Sequence, residues 1–216
     1  MRPLSDSQRE ALEEATSAYQ GQLTADVARY LLARGIGQEE AVTARLGVVL
    51  DPLPGHGRFV GWLSIPYLNK DGRPVQIRFR CLQEHDHRAL GHGKYLTVAG
   101  ESARMYGVDS IHQAGDEIHV TEGELDRVIL RHKLGVHAVA APGAKNWKGR
   151  HRRMLAGFSR IWVWGDPDDA GAEFTQRVTR ALRQAKGINL KQGDVTDTYL
   201  AGGVEALRTA WRGNSQ

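Results

Sequence analysis

Two rhythms of apolar and polar positions divide the chain. Up to about residue 45 the apolar residues recur at helical spacing. Ser7-Gln-Arg-Glu10 reads as a capping box that starts a helix running to about Tyr19. A second helix, TADVARYLLARG, starts at Thr24 and stops at Gly35, with Arg29 and Arg34 on its polar side, and QEEAVTARLG makes a short third. Residues 59–68 (FVGWLSIPYL) and 74–82 (PVQIRFRCL) are aromatic and β-branched, which predicts two strands joined by the turn NKDG. The polar, glycine-containing stretch 83–94 (QEHDHRALGHGK) predicts a mobile loop.

From about residue 116 the rhythm becomes strand–helix–strand: EIHVTEG, ELDRVILRHKLG, VHAVAAPG, a basic helix from Asn146, RIWVWGDPDDAG, and AEFTQRVTRALRQA. Short apolar runs alternating with amphipathic helices imply a parallel sheet with helices on its faces. The fold class is therefore α/β, an α+β first part followed by a parallel-sheet part. The change falls at residues 107–116 and predicts subdomains 1–110 and 111–216. No repeat and no low-complexity segment interrupts the pattern.

Composition bounds the classes. Of 216 residues, 41% are apolar and 25% charged, enough to bury a globular core. A net charge of +4 suits a polyanionic partner, or simply a basic soluble protein. The single cysteine, Cys81, excludes an internal disulfide and a cysteine-rich zinc ribbon, and fits a reducing compartment. The start lacks the apolar core of a secretion signal, and no stretch approaches the ~18 apolar residues of a membrane span. A soluble, cytoplasmic protein with no membrane partner is expected.

Candidate chemistry gathers in the second half. Ligands of open parallel sheets collect beyond the carboxyl ends of the strands. There IHVTEG ends with Glu122, followed by Gly123, which allows close backbone approach, and Asp126 lies one helical turn on. IWVWGDPDDAG ends with Asp166, Asp168 and Asp169. Clustered carboxylates repel and hold raised pKa values unless a cation is present, and a few hard oxygen ligands suit magnesium. Helix capping is the competing role for the DPDDAG aspartates, and two acidic strand tips together favour metal.

Other features carry less. Arg78 and Arg80 are two apart on one strand and share a face, which either meets an anion or lies in solvent. Lys145, Lys148, Arg150, Arg152 and Arg153 form a basic run that either contacts nucleic-acid backbone or is a solvated helix. Cys81, His85, His87 and His92 could be written as a zinc site, but a loop containing Gly91 and Gly93 promises no fixed geometry, so no structural zinc is expected. Trp162 and Trp164 alternate along a strand and would pack helices on either side of the sheet, while Trp62 and Trp147 either join the core or stack on bases. Neither GHGKYL nor GAKNWKG satisfies the nucleotide-triphosphatase loop.

VTEGELD followed by WVWGDPDDAG resembles the glutamate and DxD pattern of TOPRIM domains, which act with divalent metal on phosphodiester or nucleotide chemistry. The flanks YLLARGI, IPYLNKDGRPVQIRFR and HGKYLTVAGESARMYGV are similar, in that order, to bacterial-type (DnaG-like) DNA primase cores. KQGDVTDTYLAGG resembles the primase DPDxxL segment, with two residues between Asp194 and Asp197 where the family usually has one. AAPGAKNWKG is closer to phage primases than to cellular ones.

The resemblance implies a Rossmann-like TOPRIM subdomain and a primase catalytic core that joins ribonucleoside triphosphates on a single-stranded DNA template. Glu122 would be the general acid/base or shared metal residue. Asp166 and Asp168, with Asp194 or Asp197, would hold magnesium or manganese. Arg78, Arg80 and Lys94 would bind template and nucleotide, joined by Asp126, Lys145 and Lys148. The family's zinc-binding and helicase-docking domains have no counterpart here, so a separate helicase or zinc-domain protein is expected, with weak, low-specificity priming in isolation. A bacterial or phage-infected cytoplasm is the implied setting. The alternatives are a small TOPRIM nuclease and a noncatalytic single-strand-binding or recombination module; a topoisomerase would need a tyrosine-bearing strand-passage domain.

Overall fold

A computed structural model describes residues 3–191 and 193–213. Of the KQGDVTDTYLAGG segment, Gln192 lies outside the described residues. The chain forms two compact units: residues 3–33 with 37–102, and residues 34–36 with 103–213. Among the described residues no helix is long and apolar enough to cross a membrane.

The first unit sets three helices, α1 (Asp6–Gly21), α2 (Ala25–Leu32) and α3 (Gln38–Thr43), beside an antiparallel sheet of β1 (Gly47–Val48), β2 (Leu63–Leu68), β3 (Pro74–Arg80) and β4 (Tyr95–Thr97), in that order. The capping box of α1 is Ser5 with Gln8, two residues earlier than the Ser7–Glu10 pair predicted. Both patterns are present in the sequence. Ser5 is the serine left with extended backbone, as a cap requires. The predicted strand 59–68 begins at Leu63, because Gly57–Phe59 is a 3-10 turn. That turn drops Phe59 onto Phe79 of β3, with ring centroids 3.9 Å apart and planes 9° from parallel. Tyr19 closes this core, its hydroxyl accepting from Leu53 N at 3.1 Å and lying 2.7 Å from His56 Nδ1. Trp62 packs here too, 9% exposed.

The second unit is built on a parallel sheet ordered β6 (Ala138–Ala140), β5 (Glu117–Thr121), β7 (Arg160–Gly165), β8 (Ala185–Asn189). Its helices are α4 (Asp109–Gln113), α5 (Glu124–Ile129, continued as a π-helical turn to Leu134), α6 (Gly149–Leu155), α7 (Asp169–Ala181) and α8 (Val195–Gly213, kinked at Gly202 and Gly203). β8 is an edge strand whose AKGIN sequence gave no signal, being short and only weakly alternating.

One face of the sheet carries Ile118, Val120, Ile161 and Val163, packed with Leu155 of α6 and Phe174 and Val178 of α7. Trp147 belongs to this core as well, 9% exposed. The other face carries His119, Trp162 and Trp164; His119 and Trp162 meet Trp211 of α8, and Trp164 donates from its indole N–H to His119 Nδ1 at 2.9 Å. The two strand tryptophans therefore do not divide between faces as predicted. Positions two apart on a strand point the same way, and both lie on the α8 side. The exposed edge of β6 is met by an antiparallel bridge from Tyr106 to Ala140.

Candidate active site

Strand order decides where the acidic residues meet. The chain leaves β5 toward β6 on one side and later returns to β7 on the other, so β5 and β7 straddle the point where the winding reverses. In such sheets a crevice opens at that point beyond the carboxyl ends. Pairing of β5 with β7 ends at Thr121–Trp164, so Glu122 and Asp166 leave neighbouring strands at nearly the same level.

Glu122 is half-buried, and its Oε1 is shielded from solvent with no hydrogen-bond partner among the described residues. Burial, then the charges of Asp166 and Asp168, push its pKa up to about 7. Asp166 is pushed up to about 6 by burial and then by Asp194, Asp168 and Asp197. An orphaned carboxylate oxygen facing other carboxylates is a cation-shaped deficiency, and the oxygen-only donors suit a hard divalent ion. Among the described residues no three of these carboxylates bring oxygens all within 4.8 Å of one another.

Three of these aspartates also make hydrogen bonds at helix starts. Asp168 is the N-cap of α7, its Oδ1 accepting from Gly171 N at 2.7 Å. Capping occupies one oxygen of the carboxylate, so the cap and the metal role weighed for DPDDAG are compatible at this residue. Asp194 and Asp197 bond each other's backbone at the start of α8: Asp194 Oδ1 accepts from Asp197 N at 2.8 Å, and Asp197 Oδ2 from Asp194 N at 3.3 Å. The two-residue spacing between them thus makes a cap that holds both carboxyls beside Asp166.

Sequence reasoning missed Gly171. A Cβ there would lie 2.1 Å from the Asp166 carbonyl oxygen and 2.5 Å from its nitrogen, so only glycine lets α7 press against the strand tip. The signal available was the final glycine of DPDDAG. Gly123 has the same logic, a Cβ meeting Asp126 Oδ2 at 2.4 Å.

Asp126 is placed differently from expectation. It is 8% exposed and bonded by Thr196 of α8, so it ties two helices together instead of facing a ligand. Burial, then Asp194, pushes its pKa up. Of the basic run, Lys145 and Lys148 are exposed, whereas Arg150 donates to Ala103 O and Arg152 to Ala181 O at 2.9 Å.

In the first unit, Arg78 and Arg80 do share a face, and that face is not open solvent. Tyr95 stands opposite Arg80 in the β3–β4 pairing, and the guanidiniums of Arg78 and Arg80 lie 4.7 and 5.0 Å from its ring centroid. Arg80 is 6% exposed and donates from Nη1 to the Tyr95 hydroxyl, while its buried Nε has no acceptor among the described residues. A buried guanidinium with an idle N–H is preorganised for an anion. Lys94, next to Tyr95, is exposed and its carbonyl accepts from Cys81 N at 2.9 Å. The adjoining loop is more structured than predicted, and it brings donor atoms of Cys81, His85 and His87 all within 4.8 Å of one another.

No family model matches the chain. Over 152 residues it is 30% identical to the Gene 57 protein of Mycobacterium phage D29, covering 68% of this chain and 95% of that protein. The RNA polymerase domain of Mycobacterium tuberculosis primase DnaG in complex with double-stranded DNA aligns with a TM-score of 0.77 at 22% identity, covering 95% of this chain and 80% of that one. A DnaG primase catalytic domain bound to single-stranded DNA aligns with a TM-score of 0.71 at 20% identity, covering 97% and 80%. At such identities what is shared is the fold, which includes the parallel sheet bearing Glu122 and Asp166. The chain therefore has the fold of a DnaG-like, TOPRIM-containing primase catalytic core and belongs to the family of the Gene 57 protein of Mycobacterium phage D29.

Proposed function

We propose that the protein is a DNA primase catalytic core that synthesises short RNA primers on single-stranded DNA by divalent-metal-dependent nucleotidyl transfer. The observation that carries this reading is the unpartnered Glu122 oxygen among mutually repelling aspartates, at the strand-order switch of a primase-type fold.

Asp166 and the uncapped oxygen of Asp168 would hold magnesium or manganese, with Asp194 or Asp197. When bound, the ion neutralises charge on the triphosphate and eases pyrophosphate departure. Glu122 receives the proton of the attacking 3′-hydroxyl or shares the ion. Asp126 keeps α5 and α8 in register beneath these groups. Arg78 and Arg80 bind phosphate on the first unit, with Lys94 beside them, and Lys145 and Lys148 make screened contacts to nucleic-acid backbone on the second. Single-stranded DNA is the template and ribonucleoside triphosphates are the substrates, and the solved structure named with bound single-stranded DNA supports the first of these. A separate helicase or zinc-domain protein would supply template choice.

The test incubates the chain with single-stranded DNA, labelled ribonucleotides and magnesium or manganese, beside Asp166→Ala. Short RNA products lost in the variant are expected. Cleavage of the DNA without synthesis would instead indicate a TOPRIM nuclease, and retention of DNA with neither reaction a binding module.

A further inference from the structure

The loop between β3 and β4 gathers a set of soft and borderline donors well away in sequence from the acidic residues. Cys81 follows Arg80 directly and is 3% exposed. Its backbone N–H donates to Lys94 O at 2.9 Å, which closes residues 82–93 into a loop with a narrow neck. Cys81 Sγ lies 3.8 Å from His85 Nε2, and a ring nitrogen of His87 joins them with all three donors within 4.8 Å.

A third imidazole is folded back onto the group. His92 N donates to His87 O at 2.9 Å, and the His92 ring lies 5.2 Å from that of His85 and 5.3 Å from that of His87. The His92 ring also lies 5.2 Å from that of Trp62. His92 Nδ1 is 3.1 Å from Gly93 O, a bond that fixes the tautomer and leaves Nε2 as the acceptor, as an outer-shell partner does for a metal-binding histidine. The turn before it is held by Asp86, whose Oδ1 accepts from Arg88 N at 2.9 Å and Ala89 N at 3.2 Å.

Without an ion this assembly is hard to justify. The rings of His85 and His87 lie only 4.4 Å apart, with His92 5.2 and 5.3 Å from them. His87 Nδ1 is shielded from solvent with no hydrogen-bond partner among the described residues. A cysteine sulfur with histidine nitrogens gathered within 4.8 Å is the donor chemistry that zinc takes.

We infer that Cys81, His85 and His87, with His92 as the fourth ligand, bind a structural zinc ion that pins the β3–β4 loop. The ion would clamp the neck between Arg80 and Lys94, and so hold the basic face of the first unit in place. The inference does not depend on the polymerase reading, since it concerns a different set of side chains.

The test is metal analysis of the purified chain after dialysis, with cobalt(II) substituted for zinc as a spectroscopic probe. One zinc per chain is expected, and the cobalt form should show tetrahedral d–d bands with a near-ultraviolet thiolate charge-transfer band. Cys81→Ser should remove the charge-transfer band. His85→Ala and His87→Ala should each weaken zinc binding by at least ~10–100-fold, the loss typical of removing even an outer-shell partner. His112→Ala, an exposed histidine on α4, should change nothing. Because Cys81 is buried, the two loop variants, checked by circular dichroism, carry the test if Cys81→Ser fails to fold. A wild-type chain that retains no zinc, or zinc affinity unchanged by His85→Ala and His87→Ala, overturns the site. Retention of copper in place of zinc overturns the choice of ion.

Discussion

Thr196 gives two hydrogen bonds to one oxygen of Asp126, from its hydroxyl at 2.8 Å and its backbone N–H at 3.1 Å, across 70 residues of sequence. This junction fastens the first turn of α8, which carries Asp197 and follows Asp194 directly, to the helix that follows Glu122. Thr196→Val keeps the shape and removes one of the two bonds to a buried carboxyl. It should cost about 1–3 kcal/mol, read as a shift of the urea midpoint at constant slope. Asp126→Asn keeps an acceptor and should be far milder than Asp126→Ala. Equal losses from the two would show that the Thr196 bonds matter little.

The repulsion among the acidic residues sets a pH dependence. Glu122 and Asp166 hold protons to higher pH in the folded chain than in the unfolded one, where carboxyls titrate near ~4. The folded state then binds more protons, and stability falls as pH rises, from ~4 through about 6 for Asp166 and about 7 for Glu122. With chelator present, thermal midpoints should decline across that window. Magnesium should reverse the decline, adding ~2.7 kcal/mol at a hundred times its dissociation constant. A metal-free chain that grows more stable from pH 5 to pH 8 would contradict the electrostatics.

Asp166→Asn separates stability from activity. Removing one of the repelling charges should raise the melting temperature of the metal-free chain and abolish its response to magnesium. Primer synthesis should fall on the order of 10²–10³-fold or more, the scale for losing one well-placed electrostatic group. A variant that is both less stable and still magnesium-responsive would remove Asp166 from the metal site.

Gly171→Ala forces a methyl into the Asp166 backbone and should cost ~1–3 kcal/mol by overpacking, while also displacing the strand tip. Gly157→Ala, where a Cβ meets nothing within 4 Å, is the matched control and should be neutral or slightly stabilising. Denaturation and priming assays on the pair would show whether helix packing and carboxylate placement are coupled.

The arginine pair can be probed through salt. If Arg78 contacts phosphate, Arg78→Ala should lower the slope of log affinity for single-stranded DNA against log salt by ~0.7. Tyr95→Phe removes the hydroxyl bonded to Arg80 and keeps the ring, so it should weaken binding less than Tyr95→Ala, which also removes the ring beside both guanidiniums. Unchanged slopes in Arg78→Ala would assign that residue to packing.

The sequence by itself determined the α/β architecture, the parallel sheet and the positions of Glu122 and Asp166, because these rest on local periodicity and on the rule that ligands gather at strand ends. It also marked Arg78 and Arg80 as sharing a face, since alternation along a strand is local. Tertiary structure alone decided matters that depend on partners distant in the chain. It chose Ser5 over Ser7 as the cap and paired the weakly patterned β8. It sent Trp162 and Trp164 to one face together and turned Asp126 inward to Thr196. It also drew Cys81, His85, His87 and His92 together from a stretch whose glycines promised only mobility. Proximity across a loop or a sheet is a property of the closed fold, and no window of sequence contains it.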